Sequence, residues 1–533
     1  MLPLSWSALL VLLFPSAVDA RAVSADAVSL PPATVTSLIT SVATNATLSS
    51  GECDNIHYCR TLEGLVLSCL VTILACVWFA VHRNIPAPKV HRPRHGNFFV
   101  RTGLFVWYKI LDQRHAATVF VVTLLVPEWV LAWALRQWLL AHKLVKQLET
   151  ARVEADKERK DLASGAMETE KEVSESSVHA VIDESSAESP GISAHSEHAP
   201  LVVPQSKSLS RVASRRCKKR CEECDVHRSE YDQVAMAKRV AKANEAWEKI
   251  HAFFIIMGGC QFYGENGPIC PVSPRDAVQL VRRGHLIAPS RDELANQSKG
   301  DALSKGVAIL QTLWFVMQCI ARRIEHLPLT NLEVMTLAYT VITVAMYVVW
   351  WEKPLNISCA VRVPEEEVEG EKAQVYDSVW EQTIVYVMGM QDDYVDLRQC
   401  TRVPTFWAAN RTGDDAVIAD GIALLVAMVF GAVHCIAWSY AFQSHLEQQL
   451  WRASAIAIIA VPAALALGFA VAGLLGQYTS LEVVTVLPIF YVPLAPMYIA
   501  ARIILILISF TSLRMLPAGA YHTVQWTTFV PHI

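Results

Sequence analysis

Glu128, His434 and Arg502 are ionisable side chains set deep in apolar runs of this sequence. A charge at such a place costs several kcal/mol unless it is paired, neutralised or turned to a polar interior. Together a carboxylate, an imidazole and a guanidinium could carry protons or hold an ion or polar solute inside a helical bundle, and they form the candidate intramembrane polar site. Each also has a plainer reading. Glu128 can rest near headgroups on an interfacial helix, His434 can be satisfied by a neighbouring helix, and Arg502 can snorkel or pair. His434 and His445 lie eleven residues apart, with Cys435 beside the first, and that is not a zinc spacing.

A second set is Cys217-x3-Cys221-x2-Cys224-x2-His227. Three thiols and an imidazole at these intervals could hold zinc, which needs four convergent ligands. The same spacing occurs in iron–sulfur enzymes that cleave S-adenosylmethionine, but the basic flank offers no barrel around a cluster. Cysteines beside basic residues near a membrane are equally palmitoylation targets or plain thiols. Cys53 and Cys59 could form a disulfide in an oxidising compartment, and Asn45-Ala-Thr47 is a glycosylation acceptor. The sequence holds no nucleotide-binding glycine loop, nucleophile elbow or His-Glu metalloprotease motif. No catalytic residue and no cofactor are therefore expected, and a non-enzymatic role is.

The elements that would position these residues are apolar runs. The chain has 533 residues, 53% hydrophobic, with a net charge of −4 that names no partner. Ala416–Tyr440, Ala453–Gly476 and Val483–Phe510 are each long enough to cross a hydrocarbon layer as a helix. This block, 416–510, is expected to be the bundle to which the rest attaches. Pro462, Pro488, Pro493 and Pro496, with Gly468, Gly473 and Gly476, suit close packing and broken helices there. Earlier runs are Leu62–His82 and the hairpin 305–351, closing on Trp350-Trp351-Glu352-Lys353-Pro354. Segment 116–141 is ambiguous, interfacial, re-entrant or spanning, because Pro127-Glu128 interrupt it. If it spans, loops 139–304 and 352–415 fall outside; if not, both fall inside.

Between these runs the organisation reads as follows. Met1–Ala20 has a signal-peptide pattern, and 21–60 is a lumenal or extracellular disordered segment. Residues 83–115 form a basic loop, which places that side in the cytosol. The charged insert 142–245 reads as disordered. Within it, 207–220 carries seven basic residues and no acid, a stretch suited to anionic lipid. Residues 246–304 read as a small cytosolic helical element, with Ser290 and Glu293 forming a capping box. A polar loop, 352–415, and a tail, 511–533, complete the chain. In that loop Asn356-Ile-Ser358 and Asn410-Arg-Thr412 could be glycosylated only if it is lumenal. The fold class expected is all-α: a polytopic helical membrane protein of the secretory pathway with a large disordered polar insert.

Several stretches carry a family resemblance. They are Ser68-Cys-Leu-Val-Thr-Ile-Leu-Ala-Cys-Val-Trp78, Ser298-Lys-Gly-Asp-Ala-Leu-Ser-Lys-Gly306, Trp350-Trp-Glu-Lys-Pro-Leu-Asn356, His434-Cys-Ile-Ala-Trp438 and the ending from Pro517 to Trp526-Thr-Thr-Phe-Val-Pro-His-Ile533. In these the chain resembles a family of multi-pass membrane proteins of mushroom-forming fungi. The resemblance implies the architecture and no catalytic residues. Three roles fit: a scaffold or signalling-type membrane protein, a transporter or channel with its site in the C-terminal block, and a seven-span receptor-like protein. The expected partner is the lipid bilayer, with no nucleic acid.

Overall fold

The computed structural model describes residues 59–88, 115–179, 245–264, 267–298, 301–364, 374–387, 389–409, 415–478 and 483–526. The signal pattern, Cys53, Asn45, Asn410, the 207–220 tract and Cys217, Cys221, Cys224 and His227 lie outside them. Two compact units are formed. The larger comprises 1–143, 252–273 and 294–533.

Among the described residues six helices are long and apolar enough to cross a membrane. They are α1 (Leu62–Leu74, prolonged by a π turn over Ala75–Phe79), α7 (Asp301–Ile324), α8 (Asn331–Val349), α10 (Asp415–Val433), α11 (His445–Tyr478) and α12 (Val483–Thr511). The centre of the bundle is α8, not the 416–510 block. It packs against α1, α7, α10 and α12, and 78% of its most apolar window is buried. Its sequence suits that place. Thr336 and Thr343 return their hydroxyls to carbonyls four residues back, at 2.7 and 2.8 Å, so each polar group is satisfied within the helix.

The helices alternate between two ends, each marked by a polar cluster. At the first end Arg60 reaches both carboxylate oxygens of Glu333, at 2.5 and 3.1 Å. Glu333 also closes a capping box with Thr330 at the start of α8. Arg322, at the end of α7, donates to the carbonyls of Pro328 and His522. The C-terminal segment around Gly519–His522 is thereby held beside Arg60, whose backbone N–H bonds Tyr521. Cys59 is disulfide-bonded, and its partner is none of the other described cysteines.

At the opposite end Lys353 is fully buried. Its ammonium donates to His82 O and Gln137 Oε1 and lies 4.8 and 4.5 Å from the rings of Trp133 and Trp350. Burial pushes its amine well below the usual lysine range. The end of α8 is thus a cross-tie, through Lys353, to the segments of His82 and Gln137.

Four expectations need correction. The chain is not all-α. Strands β1 (Cys260–Gly264), β2 (Gly267–Pro271) and β3 (Val361–Pro364) form a sheet in the order β2-β1-β3, β1 running antiparallel to β2 and parallel to β3. Within 246–304, read as helical, α4 (Lys249–Ile256) stops before Gly258, which adopts φ +90°. A Cβ there would approach Val403 to 2.8 Å. Second, the charged insert is helical as far as His179, because α3 (Pro127–His179) continues through its Glu- and Lys-rich start. Third, α11 and α12 run unbroken past Pro462, Pro488, Pro493 and Pro496; the break falls elsewhere. Fourth, the 352–415 loop carries structure of its own, β3 and α9 (Val379–Val387).

The smaller unit comprises 144–251 and 274–293. Leu144, Leu148, Ala151 and Ala155 form its buried stripe on α3. Helix α5 (Pro274–Arg282) buries Ala277 and Leu280 and ties Arg282 to Glu154 at 3.0 Å. Ser290 and Glu293 make the capping box expected at the start of α6 (Arg291–Gln297).

Replacing Lys353 with Met keeps the aliphatic stem but strands two buried acceptors. The expected loss of stability is about 1–3 kcal/mol, seen as a lower unfolding midpoint of the detergent-solubilised chain. A midpoint equal to or above that of the parent would refute the cross-tie.

Candidate functional site

The break lies at Pro127. Helix α2 (His115–Leu125) and α3 meet there at 111°. Proline has no N–H to continue the ladder, so Pro127 can begin a helix but not extend one. The last backbone bond of α2 runs from Val126 N to Val122 O, and Trp129 N then bonds Val126 O. The carbonyls ending α2 need outside donors. Arg502 provides them: Nε lies 3.2 Å from Leu125 O and one terminal nitrogen 3.1 Å from Leu124 O. Tyr339 adds its hydroxyl to Leu124 O at 2.5 Å and accepts from Arg502 at 2.9 Å. The guanidinium is 1% exposed and lies 4.2 Å from the ring of Phe430. Arg502 therefore neither snorkels nor pairs with a carboxylate. It caps a helix end.

Both outer ends of this broken pair lie toward the Lys353 end of the bundle. His115 contacts Arg402, in a loop whose Pro404 and Trp407 carbonyls accept from Asn84, Trp133 and Gln137. On the return limb Arg136 holds Asp420 bidentately at 2.7–3.0 Å and also donates to Gly389 O. Lys143 pairs with Asp415 one turn and a half earlier on α10. The turn itself is at mid-helix depth, beside Tyr339 of α8 and Arg502 of α12. The pair enters, turns and leaves at one end.

Beside this turn is a cavity of about 850 Å³. One wall is apolar, from Val122, Trp129, Phe406, Leu465 and Ile499 among others; the polar part includes Glu128, Gln391, Tyr498 and the Arg136–Asp420 and Arg402–His115 pairs. Trp129 and Trp133 stand edge-on to Phe406 at 4.7 and 5.3 Å. Glu128 is in the first turn of α3, where the helix dipole favours its charge. Its Oε2 is buried with no hydrogen-bond partner, although Arg502 and Tyr498 lie close enough to act on it electrostatically.

The three residues singled out by sequence thus separate. Glu128 faces the cavity and Arg502 stands behind it as a cap. His434 is fully buried in a 3-10 turn at the end of α10, its Nδ1 3.1 Å from Phe430 O and its carbonyl accepting from Trp451. It packs and does not line the cavity. Asp420, Arg402 and Tyr498 were missed. For Asp420 a signal existed, the one acid beyond the first residue of an apolar helix; Arg402 and Tyr498 gave none. Among the described residues no three His, Cys, Asp or Glu side chains are placed to hold a metal.

A model for a family of unknown function (DUF8562) matches residues 195–416. No curated protein and no solved structure matches the chain.

Truncating Arg502 to Leu leaves the end of α2 without its charged cap and should cost about 3 kcal/mol, whereas Tyr339→Phe removes one neutral donor and should cost about 1 kcal/mol. Thermal unfolding in detergent measures both. Equal effects would mean the guanidinium is not the principal cap.

Proposed function

We propose that this chain is a six-span membrane protein of the transporter class, with α2 and the start of α3 as a re-entrant pair and the cavity beside them as its solute site. One observation carries the reading: a helix broken at mid-depth, with its break held by buried polar groups at the edge of a cavity. Discontinuous helices of this kind place helix ends and freed backbone groups around solutes at the bilayer midplane, and irregular backbone is tolerated there only inside protein or beside a cavity.

The outer surface supports the membrane environment. Leu310, Leu425, Leu467 and Leu507, on four different helices, are 58–69% exposed, a pattern suited to lipid. The disulfide at Cys59 suits the oxidising side of a membrane. With Cys59 outside, six crossings put the Arg83 end, both limbs of the re-entrant pair and the charged part of α3 in the cytosol. That assignment also satisfies the positive-inside rule for Lys89, Arg92, Arg94 and Arg101. A scaffold role remains the second reading, favoured by the long charged continuation of α3.

Topology tests the proposal directly. Single cysteines replacing Trp380 and Met515, both well exposed, are introduced on a background lacking the other accessible thiols, in sealed membranes. Reagent confined to the outside should label 515 and not 380. Labelling of 380 and not 515 from outside would mean that the α2–α3 pair crosses fully, and would replace the transporter reading with a seven-span one.

A further inference from the structure

The lining of the cavity narrows what it takes. Its charged carboxylates and guanidinium groups balance: Glu128 and Asp420 against Arg136 and Arg402. Asp420 is already engaged bidentately by Arg136, so that pair has little to offer an ion. A fixed excess of charge, which an ammonium or carboxylate ligand would need in a site of low polarity, is missing from this balance. Three lining residues nevertheless carry buried polar atoms without hydrogen-bond partners: Glu128 Oε2, Gln391 Oε1 and the Tyr498 hydroxyl. The first two can only accept when the carboxyl is ionised, and the third can do either. Such groups are costly when left unmade. Around them stand indole, phenyl and aliphatic walls, and the volume is in the range of pockets for drug-sized molecules.

From this we infer that the cavity binds an uncharged, largely apolar molecule bearing a hydroxyl donor, of the sterol or long-chain alcohol type. The hydroxyl is donated to Glu128 on the first turn of α3, with Gln391 and Tyr498 as alternative partners as the molecule turns. The hydrocarbon lies along Trp129, Phe406, Leu465 and Ile499. The inference rests on the cavity being a solute site in a membrane-embedded bundle, since such ligands partition into lipid and reach a protein from there. It adds the ligand's charge and donor chemistry.

Trp129 and Trp133 line the cavity, and they supply the readout. The full chain is reconstituted in phosphatidylcholine nanodiscs and titrated with dehydroergosterol, a fluorescent sterol that accepts energy from tryptophan. Hexadecanol, hexadecylamine and palmitate are the competitors. Saturable transfer displaced by unlabelled sterol or hexadecanol, with the amine and the acid at least tenfold weaker, is expected; the stronger displacer tells sterol from chain alcohol. Glu128→Gln keeps an acceptor without charge and should bind within about threefold of the parent. Glu128→Leu should lose at least tenfold. Ala495→Trp, which fills the cavity from a half-exposed position, should also abolish transfer, and Ala132→Phe serves if that variant does not fold.

Displacement by hexadecylamine or palmitate in preference to the alcohol, abolished by the filling variants, would overturn the ligand class and leave the solute site standing. Loss of binding in Glu128→Gln equal to that in Glu128→Leu would likewise overturn it, because charge and not acceptance would then be at work. If dehydroergosterol gives no saturable transfer, this inference is overturned, while the solute-site reading is decided separately by the topology test.

Discussion

The architecture depends on one contact, the guanidinium of Arg502 set against the carbonyl end of α2. A proline at 127 breaks a helix inside the bundle, beside the buried Arg502. Unpaired carbonyls there would make the break unaffordable. A neutral donor meets one carbonyl; a buried cation with a planar array of N–H groups meets two and also opposes the negative end of the helix dipole. Tyr339 of α8 and Phe430 of α10 fix the plane of that group. The break therefore requires three helices, α8, α10 and α12, to be in register.

The two ends of the bundle are fastened by different chemistry. At the Arg60 end the fastening is ionic and backbone-directed: Arg60, Arg322 and Glu333 gather a helix start, a helix end and the C-terminal segment. At the other end it is aromatic, with the buried Lys353 amine between two indoles and its hydrogen bonds reaching α1 and α3. Burial disfavours the charged amine, and both acceptors are served by a neutral lysine as well as by an ammonium. Each fastening joins segments far apart in sequence, so each closes the bundle rather than stabilising a single helix.

This explains what was legible from sequence. Long apolar runs are local signals, and α1, α7, α8, α10, α11 and α12 each lie on one, although α11 starts ahead of its run, at His445 and not Ala453. The capping box at Ser290 and Glu293 is equally local. Pro127-Glu128 marked an interruption, and 111° is the geometry it takes. By contrast β3 finds its partner about a hundred residues away, and a four-residue strand has no period to read. Arg502 looked like an isolated charge because its partners are carbonyls, which leave no trace in side-chain patterns. The central place of α8 was hidden for a related reason: its threonines look polar, yet they satisfy themselves and allow burial on every side.

Helix α3 begins at the break and ends at His179 without interruption, 53 residues in all, or about 80 Å of continuous rod. Its first turn carries Glu128 and its later turns carry dense charge. From Leu144 onward it also supplies the buried stripe of the smaller unit, so one continuous run of backbone hydrogen bonds belongs to both units.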